Sequence, residues 1–129
     1  MAEKHTGEFM FKKHLRKLVD NVEGGSAALL MGFDGISVDH YVKDGSDNPI
    51  DIKTIGMEFS FVMTQMLKAA EILEVGGMEE VTIKAEKLIL VLRLLTPEYF
   101  VAVAMQPGGN FGKCRFLLRI QVPKILEDL

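Results

Sequence analysis

The chain has 129 residues, 48% of them hydrophobic, and a formal net charge of −3. That length suits one domain with a core of its own, which needs neither a disulfide nor a metal to hold it. The acidic balance argues against nucleic acid as the main partner, because phosphate-binding domains carry a basic excess.

The single cysteine, Cys114, can form no internal disulfide and fits a reducing compartment as a small apolar residue. Residues 1–14 lack the apolar run of a secretory signal. The apolar stretch Leu88 to Leu95 is interrupted by Arg93 and is too short to span a bilayer. The expectation is one cytoplasmic domain over residues 1–129, with no membrane insertion and no nucleic-acid partner.

Phe11, Leu15, Leu18 and Val22 are spaced as one face of a first helix, with Thr6 as its N-cap and Gly24-Gly25 as its end. Its other face carries Lys12, Lys13, Arg16 and Lys17, a solvated face that could also meet anionic lipid or an acidic partner. Ser26 to Met31 reads as a buried strand. Asp34-Gly35 then marks a hairpin, because the primed turns need a positive φ that Gly and Asp tolerate. Ile36, Val38 and His40 alternate with Ser37, Asp39 and Tyr41 in the return strand. Lys43 to Asn48 is a polar loop, after which Asn48 caps a second helix with Pro49 in its first turn.

That helix is expected from about Pro49 to about Glu74, ended by Gly76-Gly77. Ile52, Ile55, Phe59, Val62, Met66, Ala69 and Leu73 form its main apolar stripe, centred near Phe59. The period then changes to two. Val81, Ile83 and Ala85 alternate with Glu80, Thr82, Lys84 and Glu86 in a half-exposed strand. Leu88–Leu95 and Tyr99–Met105 read as interior strands joined at Thr96-Pro97-Glu98. Asn110 caps a last helix whose apolar positions are Phe111, Cys114, Leu118 and Val122, and Pro123 should end or kink it. The order α-β-β-α-β-β-β-α predicts an α/β sandwich: one mostly antiparallel five-stranded sheet with helices on both faces.

No motif of catalysis or ligand binding stands out. His5, His14 and His40 are scattered without metal-ligand spacing, and Cys114 has no His-carboxylate context. Neither a phosphate loop nor a dinucleotide fingerprint occurs. Asp44, Asp47 and Asp51 lack the glycine and distal glutamate of a calcium loop. Gly108-Gly109-Asn110 is explained by a turn and an N-cap. Catalytic residues, cofactor and metal are therefore expected to be none.

Three segments carry a family resemblance over nearly the whole chain. They are Val22 to Ile36 with its glycine turn and Asp-Gly hairpin, the long second helix, and Asn110-Phe111-Gly112-Lys113-Cys114-Arg115 opening the last helix. Together these resemble the roadblock/dynein light chain family, nearest to the bacterial MglB-type regulators of gliding motility. Two features depart from its pattern: no glycine near Ala85-Glu86-Lys87, and a longer polar loop at Lys43–Asn48.

The resemblance implies a homodimer joined edge to edge through the third strand, at Val81, Thr82, Ile83 and Lys84, with the second helices packed across the joined sheet. It also implies a non-catalytic regulator that binds a small Ras-like GTPase and stimulates its hydrolysis. The alternatives are a scaffold or light-chain subunit and a small-molecule sensor. No arginine lies in a mobile exposed loop as an arginine finger would, so stimulation would work by ordering the partner's own residues. On a wheel of about 100° per residue, Met57, Phe61 and Ile72 lie opposite the Phe59 stripe beside Thr64 and Lys68. That rear face is the expected partner-binding surface.

Overall fold

The computed structural model describes residues 2–44 and 51–129, and the side chains of the first helix from Phe11 onward. Three helices and five strands follow in the expected order: α1 (Ala2–Asp20), β1 (Gly25–Gly32), β2 (Ser37–Val42), α2 (Ile52–Leu73), β3 (Glu80–Lys84), β4 (Ile89–Leu94), β5 (Tyr99–Met105) and α3 (Phe111–Asp128). All neighbouring strands pair antiparallel in the order β2-β1-β5-β4-β3, so β2 and β3 are the edges.

The middle strands are buried from both sides, and side-chain parity divides them between two cores. Ala28 and Leu30 of β1, Val91 of β4 and Val101 and Val103 of β5 meet Leu15, Leu18 and Val19 of α1 and Cys114 and Leu118 of α3. Ala27, Leu29, Met31, Leu90, Leu92, Phe100 and Ala102 point to the opposite face, where Ile52 and Met63 of α2 cover them. Every residue of β1 is buried, which is why it reads as an unbroken apolar run.

The β1–β2 turn forms where Asp34-Gly35 stands. Gly35 has φ +85°, and its N–H donates to the Gly32 carbonyl at 3.0 Å. Asp34 Oδ1 accepts from the Ile36 N–H at 3.0 Å. The missing glycine between β3 and β4 has a simple reason. Ala85 N–H donates to the Leu88 carbonyl at 2.8 Å, and neither Glu86 nor Lys87 has a positive φ.

Four expectations about helix ends are corrected. First, α1 already begins at Ala2, so Thr6 lies inside it rather than capping it. Second, α2 is capped by Asp51, whose Oδ1 accepts from the Thr54 N–H at 3.2 Å while Oδ2 accepts from the Thr54 hydroxyl. Those two bonds hold the Asp51 carboxyl below its ordinary range. Asn48 and Pro49 lie outside the described residues.

Third, α2 ends where expected, but its left-handed cap residue is not a glycine. Glu74 itself takes the left-handed conformation, φ 54°, and its N–H donates back to the Ala70 and Glu71 carbonyls. Fourth, α3 runs through Pro123 to Asp128. Both Pro123 and Arg119, four residues earlier, are exposed, so the carbonyl that loses its partner can be hydrated. The inward face of α3 is Cys114, Leu118, Gln121 and Ile125, with Val122 only half-buried. Gln121 is buried because its Oε1 lies 3.2 Å from Nδ1 of His14, whose Nε2 lies 2.9 Å from Asp128 Oδ2. This node ties α1 to α3.

Two outcomes test the packing. A Cβ at Gly56 would come within 2.2 Å of Leu29 Cδ2 and 3.2 Å of Met31 Sδ, both buried. Gly56→Val should therefore lower stability by about 1–3 kcal/mol in urea unfolding, the usual cost of overpacking. Burial, helped by the charge of Glu80, pushes the Cys114 thiol up from 9.0 to about 12. Thiol reagents at pH 8 should label Cys114 only in denaturant. Stability should fall as pH rises above about 9, because the unfolded chain then gains a thiolate that the folded chain lacks.

Candidate functional site

Small residues decide how α2 lies on the sheet. Its buried positions are Ile52, Gly56, Ser60 and Met63, spaced by four, four and three. Gly56 lets the helix axis approach Leu29 and Met31. The Ser60 hydroxyl donates to the Met57 carbonyl at 2.6 Å, so it can be buried without an open polar group.

This seating corrects the expected stripe. Ile55 and Phe59 are half-buried, whereas Val62, Met66 and Leu73 are exposed, Leu73 by 69%. Relative to a seat centred on Phe59 the helix is turned by roughly 55° about its axis, at about 100° per residue. It lies over β1 and β2. Farther along the same sheet face, Val81, Ile83, Leu88 and Leu94 are only half covered.

Two apolar surfaces result. The first is the α2 flank of Val62, Met66 and Leu73, on the same layer as Val81 and Ile83 of the edge strand β3. Thr82 and Lys84 point to the opposite side of the sheet, where Lys84 Nζ lies 4.8 Å from the centre of the Phe111 ring. The outer edge of β3 has no strand beside it among the described residues.

The second surface is the rear of α2. Met57, Phe61, Lys68 and Ile72 are exposed there, Phe61 by 65% and Ile72 by 80%. Thr64 stands at its margin, half-buried, its hydroxyl donating to the Ser60 carbonyl at 2.8 Å. The structure adds a neighbour that the sequence reading did not assign. A Cβ at Gly35 would lie 3.7 Å from Met57 Cγ, so the β1–β2 turn abuts α2. Ile36, exposed by 67%, and the exposed Val38 extend the surface around Met57. The signal was an isoleucine directly after an Asp-Gly turn, where nothing remains to cover it.

At its far end α2 closes on Ile72, Leu73 and Val75, all exposed. Beside them a surface groove of about 360 Å³ is lined by Leu67, Ala70 and Met78 among others.

Three of the four arginines are engaged. Arg93 Nη1 lies 3.3 Å from Glu80 Oε2, and Arg115 pairs with the other oxygen of that carboxylate. Arg16 stacks over Tyr41 with its guanidinium carbon 5.3 Å from the ring centre. Arg119, on the outer face of α3, has neither an ion-pair nor a cation–π partner among the described residues. Asn110 Oδ1 accepts from the Lys113 N–H at 3.1 Å, so the Gly108-Gly109-Asn110 segment is a turn and a helix cap. Among the described residues, no three His, Cys, Asp or Glu side chains are grouped to hold a metal ion. No described helix is long and apolar enough to cross a membrane.

Among solved structures, MglC from Myxococcus xanthus is 42% identical over 93% of this chain and 99% of its own, with a TM-score of 0.68. An MglB in a tetrameric arrangement has a TM-score of 0.84 at 13% identity, covering 95% of this chain and 89% of its own. A roadblock/LC7 domain from Streptomyces avermitilis has a TM-score of 0.77 at 14% identity, covering 89% and 93%. The chain belongs to the roadblock/LC7 family. Neither a family model nor a curated protein matches it. The likeness to MglB and to the Streptomyces domain is one of fold. The likeness to MglC extends to sequence along nearly the full length of both chains.

Proposed function

We propose that this roadblock/LC7 protein is a non-catalytic, homodimeric regulator of a small Ras-like GTPase, acting by contact alone. The observation that carries the reading is the exposed apolar surface on two sides of α2. A soluble monomer has no use for Val62, Met66, Leu73, Phe61 and Ile72 all facing water on one helix.

The flank beside β3 fits the dimer contact. Joining two β3 edges at Val81, Thr82, Ile83 and Lys84 would satisfy their free N–H and C=O groups. It would also bring a second α2 over the half-covered Val81, Ile83 and Leu94. The rear face, with Met57, Phe61, Thr64, Lys68 and Ile72 and the neighbouring Ile36, then remains for the partner. Stimulation of hydrolysis would come from ordering the GTPase's own residues, because Arg16, Arg93 and Arg115 are held by partners within the domain. A scaffold role without effect on hydrolysis is the second reading. It stands because MglB, the source of the activator reading, shares only the fold with this chain, at 13% identity.

Paired substitutions separate the two surfaces. Met66→Arg should place an unpaired charge in the dimer contact and shift sedimentation toward monomer. Phe61→Arg should leave dimer and stability unchanged yet weaken partner binding by several kcal/mol. Loss of the dimer with Phe61→Arg would make the rear face structural. Turnover of GTP by the small GTPase encoded nearest this gene, with and without the protein, decides the action. Under the ordering reading hydrolysis accelerates, and Arg119→Ala loses much less than the roughly 10³-fold expected of an arginine finger. Binding without acceleration assigns the scaffold role.

A further inference from the structure

Charge is distributed unevenly between the two layers of helices. Together α1 and α3 hold nine Lys and Arg against five Asp and Glu, which leaves six against thirteen for the rest of the chain. A chain of net charge −3 thus carries a basic helix layer on one side of its sheet.

The two helices lie side by side on that face, joined through His14, Gln121 and Asp128. Away from the sheet they present Lys13 and Arg16 on α1 and Lys113, Arg119 and Lys124 on α3, all exposed. Lys13, Lys113, Arg119 and Lys124 have no ion-pair partner among the described residues. Among the described side chains of these helices, two carboxylates share the outer surface, Asp20 and Glu127, and Asp20 already accepts the Tyr41 hydroxyl at 2.9 Å.

Among the cations stand two large apolar side chains. Phe116 is 55% exposed and Ile120 40%, one turn apart on the outer face of α3. Nothing in the core requires them, since Cys114, Leu118, Gln121 and Ile125 fill the inward side. A face that meets only water does not need a phenylalanine flanked by Lys113 and Arg119. An acidic protein could use the apolar wedge only with a matching pocket set between its carboxylates, whereas an anionic lipid surface offers both layers at every point. Cations around protruding apolar groups match the two layers of an anionic membrane surface, headgroup phosphates above and acyl chains beneath.

We infer that the α1–α3 face is a peripheral docking surface for anionic lipid, with Lys13, Arg16, Lys113, Arg119 and Lys124 meeting headgroups and Phe116 and Ile120 entering the interface. The surface is complete in one protomer. Dimerisation through β3 would place two copies on the same side of the joined sheet and leave both α2 helices facing away from the membrane.

The test is co-sedimentation of the full chain with vesicles of phosphatidylcholine alone or with about 30% phosphatidylglycerol, at low and at physiological salt. The expected result is at least tenfold stronger partitioning to the anionic vesicles, weakened by salt. A Lys13→Glu/Arg119→Glu double variant should lose at least tenfold, and Phe116→Ser should lose severalfold at unchanged charge. A Lys53→Glu/Lys87→Glu variant makes the same change of net charge at exposed positions outside α1 and α3 and should bind as the parent does. Thermal unfolding of each variant checks that the fold persists. Absence of partitioning by the parent protein would overturn the inference. So would equal loss in both double variants, or binding to polyglutamate without binding to vesicles.

Discussion

The contact between α2 and the middle of the sheet governs much of what this protein presents to its surroundings. Gly56 lets the helix sink onto Leu29 and Met31, where a Cβ would come closer than real Cβ contacts allow, and Ser60 is buried one turn on. Once the helix is seated on its small residues, its rotation is fixed. Phe59 moves to the side, Val62, Met66 and Leu73 come to the surface, and Met57 and Phe61 point away from the sheet. A close backbone approach and a large exposed apolar area are therefore two consequences of one constraint. Packing density explains its rigidity, because an interior filled by Leu29, Met31 and Phe100 has no slack in which the helix could turn back.

The opposite layer is held differently. There the helices are pinned by polar groups: His14 between Gln121 and Asp128, and Glu80 between Arg93 and Arg115. The second of these joins the edge strand β3 to its neighbour β4 and to the start of α3. It also lowers the risk of a frayed edge, since β3 is only five residues long. Under the proposed dimer, that anchor would help hold the exposed edge of β3 in an extended, pairing conformation. Two buried polar atoms remain without partners among the described residues, Arg93 Nε and Asp39 Oδ2. Each belongs to a side chain whose other atoms are engaged, Arg93 with Glu80 and Asp39 with Lys12 and with the His40 N–H.

Element order, the antiparallel sheet and helices on both faces were legible, because periods of two and of three to four residues are strong and well separated in this chain. The strand Tyr99–Met105 and the cap Asn110 coincide with the reading to the residue. The seating of α2 was not legible. Hydropathy weighs residues by apolarity, so a face made of Gly56 and Ser60 is invisible to it, although that is the face that packs. Helix ends failed for a related reason. Asp51 rather than Asn48 caps α2 because its carboxylate reaches both the N–H and the hydroxyl of Thr54, and Pro123 is tolerated because its side of α3 faces water. Both outcomes depend on three-dimensional surroundings that spacing does not encode. Of the surface residues named from sequence, Met57, Phe61, Lys68 and Ile72 share one exposed side, and Thr64 sits at its margin.

Under the proposed reading a self-association surface and a partner surface would share one helix, and that would have a physical consequence. Val62 follows Phe61 directly, and Leu73 follows Ile72, so each adjacent pair is split between the two faces at about 100° per residue. A partner that gripped Phe61 and Ile72 would also restrict the turns that carry Val62 and Leu73. Any rotation or bending of α2 would be felt at both surfaces, since the helix has one seat and no hinge between Ile52 and Leu73. Its C-terminal cap sharpens this coupling. Glu74 holds a left-handed conformation that costs a non-glycine residue of order 1 kcal/mol, and it directs the chain from α2 toward β3 through Gly76 and Gly77. The helix that would bind the partner and the strand that would pair with its copy are thus separated by six residues, 74–79. Under the proposed reading, binding at one surface would bias the other through that connection and through the single seat that the two surfaces share.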